Sequence, residues 1–214
     1  MPREQILSRI RQALGRDALP PEAAAALDAR RPAHTRISYS DDLVERFITR
    51  FQSRAGTVAR VACRADLPAA LAAYRAEHGL PARAAIAAPL ADLPWGLEHH
   101  PGPAGQEEVL GVTGCLAGIA EMGSILTVSG PAHPTTLNFV PDYHVVVLPA
   151  AHIVRHYEDA WALLRARPGG LPRCTNIISG PSRTGDVELT IQLGAHGPRR
   201  VHVLLLEAPE SAEG

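Results

Sequence analysis

Two uninterrupted apolar runs, at residues 145–148 and 203–206, constrain the fold of this chain more than any other feature of its sequence. A strand with one solvated face alternates apolar and polar residues, whereas a strand that is covered on both faces can be apolar throughout. Each run therefore predicts a central strand of a sheet with layers packed on both of its faces.

The pattern of the second part of the chain agrees with such a sheet. From residue 57 onward, short apolar runs alternate with stretches of helical spacing. This alternation predicts an α/β fold with a mostly parallel sheet flanked by helices. Further strands are predicted over 58–62, 84–88, 109–112, 125–128 and 177–179, and helices over 67–78, 157–167 and 186–193.

The chain divides into an N-terminal helical segment, 1–56, and an α/β domain, 57–214. Apolar residues at three- and four-residue spacing predict one helix that ends at Gly15 and a second between Ser40 and Gly56. The proline-rich connection between them is predicted to be irregular, with room for one helical turn. We expect this segment to pack on the core of the α/β domain or to extend from it.

The charged residues exclude several classes of enzyme. The chain has 21 basic and 22 acidic side chains, and every basic one is arginine. Schiff-base enzymes, phosphate-loop proteins and kinases all need a lysine amine, so these chemistries are excluded. The net charge of −1 gives no field that would attract nucleic acid or an anionic membrane.

The cysteines and the hydropathy of the chain limit which cofactors it can hold and in which compartment we expect it. Cys63, Cys115 and Cys174 are far apart and form no CxxC pair, so we expect no iron-sulfur cluster, zinc ribbon or other cofactor in this chain. No apolar run is long enough to span a membrane, and the first residues lack the apolar stretch of a signal peptide. We therefore expect a cytoplasmic protein without a membrane span.

The first segment with candidate chemistry is 118–124, which precedes a predicted strand. Glu121 lies between small residues and is followed by Gly123 and Ser124. Glycine allows a backbone to approach a bound group, so the segment could present a carboxylate to a ligand. The alternative is an ordinary glutamate in a solvated turn.

The second segment is 179–188, which leaves a predicted strand and enters a predicted helix. Exposed amides at a helix start, hydroxyl groups and the guanidinium of Arg183 together predict an anion site for a carboxylate or phosphate. Against this, Asp186 and Glu188 would repel an anion, and Arg183 could pair with one of them. Both interpretations stay open.

Four of the ten histidines have spacings or positions that suit a functional role. His152 and His156 are four residues apart, but the glutamate that a zinc-protease motif needs is missing, so we predict no metal site. His144 and His196 could each act as a general base or be an ordinary histidine.

Four segments in a fixed order resemble the LUD-domain lactate-utilisation family, in its LutC/YkgG branch. They are GIAEMGSIL from Gly118, VPDYHVVV from Val140, SGPSRTGDVE from Ser179 and GAHGP from Gly194. The resemblance implies a fold similar to the NagB, RpiA and CoA-transferase group and a role in oxidising L-lactate to pyruvate. It also implies two iron-sulfur partner proteins. The chain departs from the family pattern at Met122 and Gly185.

The leading hypothesis is a non-redox component of an L-lactate oxidation system that binds a small carboxylate or phosphorylated ligand. The alternative is a stand-alone isomerase or CoA-transferase-like enzyme that uses Glu121 as nucleophile or general base, so whether the chain is an enzyme stays open. Glu121 is the candidate catalytic residue. The predicted ligand-binding residues are Gly123, Ser124, Ser179, Gly180, Ser182, Arg183, Thr184, Asp186, Glu188 and His196.

Overall fold

The computed structural model describes residues 3–15, 20–30, 36–184, 192–194 and 196–208. The chain forms two compact units, Met1–Tyr39 and Ser40–Gly214. The first unit contains helices α1 (Arg3–Leu14) and α2 (Pro21–Ala29). The helix predicted to end at Gly15 is therefore present, and Gly15 adopts the left-handed φ of 58° that favours glycine at this position.

The second unit carries the strands. In the described ranges they are β1 (Thr57–Val61), β2 (Arg83–Ile86), β3 (Glu98–Pro101), β4 (Leu110–Gly114), β5 (Ala117–Ile119), β6 (Ser124–Val128), β7 (Tyr143–Pro149), β8 (Ile153–Val154), β9 (Thr175–Ile178), β10 (Arg183–Thr184), β11 (Gln192–Leu193) and β12 (Arg200–Leu206).

The main sheet has six parallel strands in the order β1-β12-β7-β4-β2-β3. The predicted α/β fold with a mostly parallel sheet is confirmed. The two apolar runs lie side by side in its middle, with Val146 of β7 opposite Val203 of β12.

The helices of the second unit are α3 (Leu43–Gln52), α4 (Leu67–His78), α5 (Thr136–Phe139) and α6 (Tyr157–Ala166). Helix α4 has the predicted bounds and ends at Gly79, whose φ is 61°. Helix α3 begins after Asp42, not at Ser40, because the Asp42 carboxylate accepts hydrogen bonds from the amides of Val44 and Glu45. No helix in the described ranges is long and apolar enough to cross a bilayer.

A second sheet has the order β8-β5-β6-β9, and the strand pattern of the sequence does not predict it as a separate sheet. The runs at 125–128 and 177–179 are strands, as predicted, and they form the antiparallel pair β6 and β9. Strand β6 also runs antiparallel to β5, because only a tight turn separates the two. Apolar patterning identifies buried strands and does not assign them to a sheet.

The predicted helix at 186–193 is wrong at its end. Gln192 and Leu193 form β11, which pairs antiparallel with Thr184 and Arg183 of β10. This ladder gives their backbone groups partners in a neighbouring strand, where a helix would need partners four residues away. Residues 185–191 lie outside the described residues.

Both faces of the main sheet are buried. Helix α4 covers one face, where Leu71 and Tyr74 pack near Val145 and Leu204. Helix α3 covers the other face, where the buried rings of Phe47 and Phe51 belong to the same core cluster as Val146, Val203 and Leu205. Each such side chain contributes roughly 1.5–3 kcal/mol when fully buried. Helix α3 falls within the predicted N-terminal segment 1–56, yet it belongs to the second compact unit.

Histidine side chains are buried within these layers. His202 of β12 is 6% exposed, stacks on Tyr74 at a centroid separation of 4.1 Å, and has Nδ1 2.8 Å from Thr57 Oγ1. Burial, assisted by the nearby His78, lowers the pKa of His202 from 6.5 to about 4. Burial alone lowers the pKa of His144 to about 3.

These buried histidines predict that acid destabilises the protein. The unfolded chain binds protons at His202 that the folded chain does not, so the free energy of unfolding falls as the pH drops from 6.5 towards 4. The contribution of His202 is on the order of 3 kcal/mol across that window. Urea unfolding midpoints between pH 7 and pH 4 should fall less steeply in His202→Gln than in the wild type. The exposed His152→Gln should retain the wild-type slope, and an unchanged slope in His202→Gln would contradict the assignment.

Candidate functional site

Glu121 lies in the turn between β5 and β6, beside the start of α6. Its amide donates to the carbonyl of Arg155 at 3.0 Å, and its Oε2 accepts from the amide of Tyr157 at 3.4 Å. The same oxygen lies 3.4 Å from Nδ1 of the buried His156, and the Glu121 side chain is 20% exposed. A carboxylate at this place offsets the unpaired amides and partial positive charge of a helix start. The geometry therefore gives Glu121 a structural role at α6.

The two segments singled out in the sequence meet through their serines. Ser124 Oγ lies 2.7 Å from Ser179 Oγ and 2.9 Å from the hydroxyl of Tyr157. Ser124 is fully buried. Its hydroxyl therefore joins β6, the end of β9 and α6 to one another.

The glycines of the two segments lie against the end of α3. Gly123 has a φ of 63°, and a side chain there would come within 2.3 Å of the backbone nitrogen of Phe51. Gly180 has a φ of 106°, and a side chain there would come within 2.5 Å of the carbonyl oxygen of Arg54. The sequence predicts that both glycines approach a ligand. In the structure the close approach is to the protein's own backbone.

The described ends of the loop around Arg183 are held by backbone hydrogen bonds to the loop before β12. The amide of Ser182 donates to the carbonyl of Pro198 at 2.9 Å, and the amide of Gly194 donates to the carbonyl of Ser182 at 3.0 Å. Arg183 is exposed, and in the described part of the chain it has neither an acidic partner nor a hydrogen bond to Glu121.

The remaining predicted ligand-binding residues are placed only in part. The backbone of Thr184 pairs with Gln192 in the short ladder. His196 is exposed in the loop before β12. Asp186 and Glu188 lie outside the described residues, so the structure describes only the two ends of the predicted anion loop.

A cleft that no motif of the sequence indicates opens at the carboxyl edge of the main sheet. It consists of two cavities of about 160 and 150 Å³, and Gly114, Cys115 and His133 border both of them. The first cavity is also lined by Arg167, and we call it the Arg167 lobe. The second is also lined by Arg64 and His152, among others, and we call it the Arg64 lobe. Together the lobes form the carboxyl-edge cleft.

The parallel sheet brings these residues together from distant parts of the sequence. Gly114 is the last residue of β4, and Arg64 follows β1 in a one-turn 3₁₀ helix. Arg167 comes directly after α6. His133 follows β6 in a turn where it exchanges backbone hydrogen bonds of 3.2 and 3.1 Å with Gly130. Ligands of open α/β sheets bind beyond the carboxyl ends of the strands, which is where this cleft lies.

Positive charge predominates in the cleft. Arg64 Nη2 lies 3.1 Å from Asp92 Oδ1 in an exposed ion pair and donates to the carbonyl of Pro89 at 3.0 Å. Arg167 has no acidic partner among the described residues. Burial, together with the positive charge of Arg167, lowers the pKa of His133. His133 is therefore neutral at pH 7 and can exchange hydrogen bonds with a ligand without adding charge.

The carboxyl-edge cleft and both predicted segments lie mostly in one recognisable domain. Residues 109–206 match the LUD domain family. The predicted resemblance to the LUD-domain family is confirmed. The LUD region includes Glu121, Arg183, and the Gly114, Cys115 and His133 border of the cleft, whereas Arg64 precedes it.

Several curated relatives match part of the chain. An uncharacterized protein of Neisseria meningitidis is 34% identical over 96 residues, which are 45% of this chain and 41% of that protein. Lactate utilization protein C of Halalkalibacterium halodurans is 29% identical over 46% of this chain and 44% of that protein. The uncharacterized protein YkgG of Escherichia coli is 31% identical over 48% of this chain and 46% of that protein. The matches span less than half the length of these relatives.

One solved structure has the same fold. A DUF162 family protein from Deinococcus radiodurans superposes with a TM-score of 0.55 over 77% of this chain and 96% of that chain. The two sequences are 22% identical, so the likeness supports the fold and nothing finer.

The described residues offer no metal site. No three histidine, cysteine, aspartate or glutamate side chains among them lie close enough together to hold an ion. His152 lines the Arg64 lobe, whereas His156 is buried beside Glu121.

Because Gly123 packs against the backbone of α3, we expect that adding a single methyl group at this position strongly destabilises the protein. In Gly123→Ala the new Cβ must displace the backbone of α3 and also tolerate a positive φ. Gly79→Ala is a matched control, because Gly79 has a φ of 61° and a Cβ added there would meet no atom within 4 Å. The control should lose about 1–2 kcal/mol of unfolding free energy. Gly123→Ala should lose roughly 1–3 kcal/mol more, and equal losses in urea unfolding would contradict the packing role.

Proposed function

We propose that the chain takes part in lactate utilization as a non-redox component that binds a small carboxylate or phosphorylated ligand in the carboxyl-edge cleft. One observation carries the proposal: two adjacent cavities at the carboxyl ends of parallel strands both border His133, and Arg167 lines one of them while Arg64 and His152 line the other. The names of the relatives called lactate utilization protein C support the biological context.

The chemistry of the cleft suits a small 2-hydroxy or 2-oxo acid. A guanidinium binds a planar carboxylate through two parallel hydrogen bonds, which makes Arg167 the anchor for the acid group. A neutral His133 can accept a hydrogen bond from a hydroxyl group or donate one to a keto group. Lactate carries a hydroxyl group, and pyruvate a keto group, on the carbon atom next to the carboxylate.

In this proposal, other proteins carry out the electron transfer. The resemblance implies iron-sulfur partners, and these would supply the clusters that accept electrons from lactate. None of the three cysteines, all of which the structure describes, forms a disulfide bond, and Cys115 lines the cleft while Cys63 and Cys174 do not. We also propose a cytoplasmic location, on the sequence grounds given above.

The alternative enzyme, an isomerase or CoA-transferase, depends on Glu121 as nucleophile or base. The Glu121 carboxylate is directed at the amide of Tyr157 and at His156, and one fifth of its side chain is exposed. These contacts support a structural role for Glu121 and favour the cleft as the place of ligand binding.

Calorimetric titration with L-lactate and with pyruvate tests the proposal. Arg167→Gln should weaken binding about tenfold or more, because a hydrogen bond to a charged group contributes roughly 1.5–3 kcal/mol. Arg165→Gln is the matched control, since Arg165 is exposed on α6 and does not line the cleft.

A parallel titration of Arg183→Gln separates the two candidate anion sites. If Arg183→Gln weakens binding and Arg167→Gln does not, the ligand binds at the loop predicted from the sequence and the cleft assignment is wrong. Failure of the wild type to bind either acid would contradict the proposed function as a whole.

A further inference from the structure

We propose that the Arg167 lobe selects monocarboxylic 2-hydroxy and 2-oxo acids with a short apolar substituent, and that Val128 sets the length of this substituent. The inference rests on the proposed function, because it narrows the class of ligand for the same cleft and names a residue that determines specificity. It starts from the residues that line this one lobe.

The lobe offers a single positive charge to a ligand. Among the described residues that line it, Arg167 is the only charged side chain. His133 adds no charge at pH 7, because burial and the nearby guanidinium of Arg167 lower the pKa of its ring. A second acid group on the same ligand would enter the lobe without a cationic partner, and burying an unpaired charge is costly. The lobe therefore favours a monocarboxylate over a dicarboxylate or a phosphorylated acid.

The other residues that line the lobe are small or apolar. They are Gly114, Cys115, Leu116 and Val128. When the carboxylate of the ligand pairs with Arg167 and its hydroxyl or keto oxygen pairs with the His133 ring, the remaining substituent of the same carbon atom is left for this apolar lining. Burial of an apolar substituent there is favourable, whereas a hydrogen atom in its place leaves the space unfilled.

The second sheet holds both larger apolar residues in place. Val128 is the last residue of β6 and lies in register with Thr175 of β9. The amide of Leu116 donates to the carbonyl of Leu126 at 2.8 Å, and Leu116 packs against the buried cluster that includes Ile119. Closely packed side chains of this kind yield little to a larger ligand, so the lining limits the size of the substituent.

The volume of the lobe agrees with a ligand of this size. It is about 160 Å³, which equals roughly five water volumes at ~30 Å³ per water. Bonded atoms take up less space than separate water molecules, so a three-carbon acid such as L-lactate fits. Each further carbon atom must displace atoms of the lining or remain outside the lobe, and longer acids should therefore bind more weakly.

Calorimetric titration of the full chain with a series of 2-hydroxy acids measures this limit. Glycolate, L-lactate, (S)-2-hydroxybutanoate and (S)-2-hydroxypentanoate lengthen the substituent by one carbon atom at a time. The wild type should bind L-lactate about threefold more tightly than glycolate, because a methyl group is buried. It should bind (S)-2-hydroxypentanoate about tenfold or more weakly than L-lactate. L-Malate, which is L-lactate with a carboxylate on its methyl carbon, should also bind about tenfold or more weakly.

Two variants of Val128 test the residue itself. Val128→Ala removes two methyl groups from the lining and should bind (S)-2-hydroxypentanoate about tenfold more tightly than the wild type does, while L-malate stays weak. Val128→Ile adds one carbon atom and should weaken L-lactate more than glycolate. Val58→Ala is the matched control, because Val58 is also a part-buried strand valine and does not line the cleft. This control should keep the wild-type order of affinities.

The outcomes separate this inference from the proposed function. If the wild type binds the longest acid or L-malate as tightly as L-lactate, the inference is overturned and the proposed function stands. A length preference that is the same in the wild type and in Val128→Ala also overturns the inference. The wild-type series remains decisive if a variant does not fold. If the wild type binds none of these acids, both proposals are wrong.

Discussion

The parallel pairing of β7 with its neighbours β12 and β4 is the constraint on which the rest of the structure depends. Seven residues of β7 pair in register with β12, from Tyr143 opposite Arg200 to Pro149 opposite Leu206. Parallel strands need crossover connections, and helices α3 and α4 lie on opposite faces of the resulting sheet. Parallel pairing also directs all carboxyl ends to one edge, so the cationic cleft is a consequence of the pairing.

The second sheet changes how the small and hydroxyl residues of the two candidate segments are to be understood. Gly123 and Gly180 each adopt a positive φ and each lie close to the backbone at the end of α3. Ser124 and Ser179 join β6 to the end of β9 through a contact of 2.7 Å. Small residues and hydroxyls have the same advantages for close packing as for ligand binding, so composition alone could not distinguish these uses.

The elements that could be predicted are those with a strong local signal. Helix α4 has its predicted bounds because its apolar spacing is helical and Gly79 ends it in a left-handed conformation. The central strands follow from their apolar runs. The pairing of β6 with β9 in a separate antiparallel sheet could not be predicted, because alternation and burial do not specify a strand's neighbour. The helical assignment of Gln192 and Leu193 failed because pairing with β10 overrides local propensity.

The sequence by itself determined the α/β class, the positions of its central strands, and the use of arginine for any cationic contact, since the chain has no lysine. These properties depend on residue type and on spacing within one segment. Only the tertiary structure decided which arginines share a cleft. Arg64 and Arg167 are about a hundred residues apart, and they border the same cleft because parallel pairing brings the ends of β1 and β4 to one edge and α6 ends beside it. Proximity of this kind arises from the packing of whole elements, which no single segment encodes.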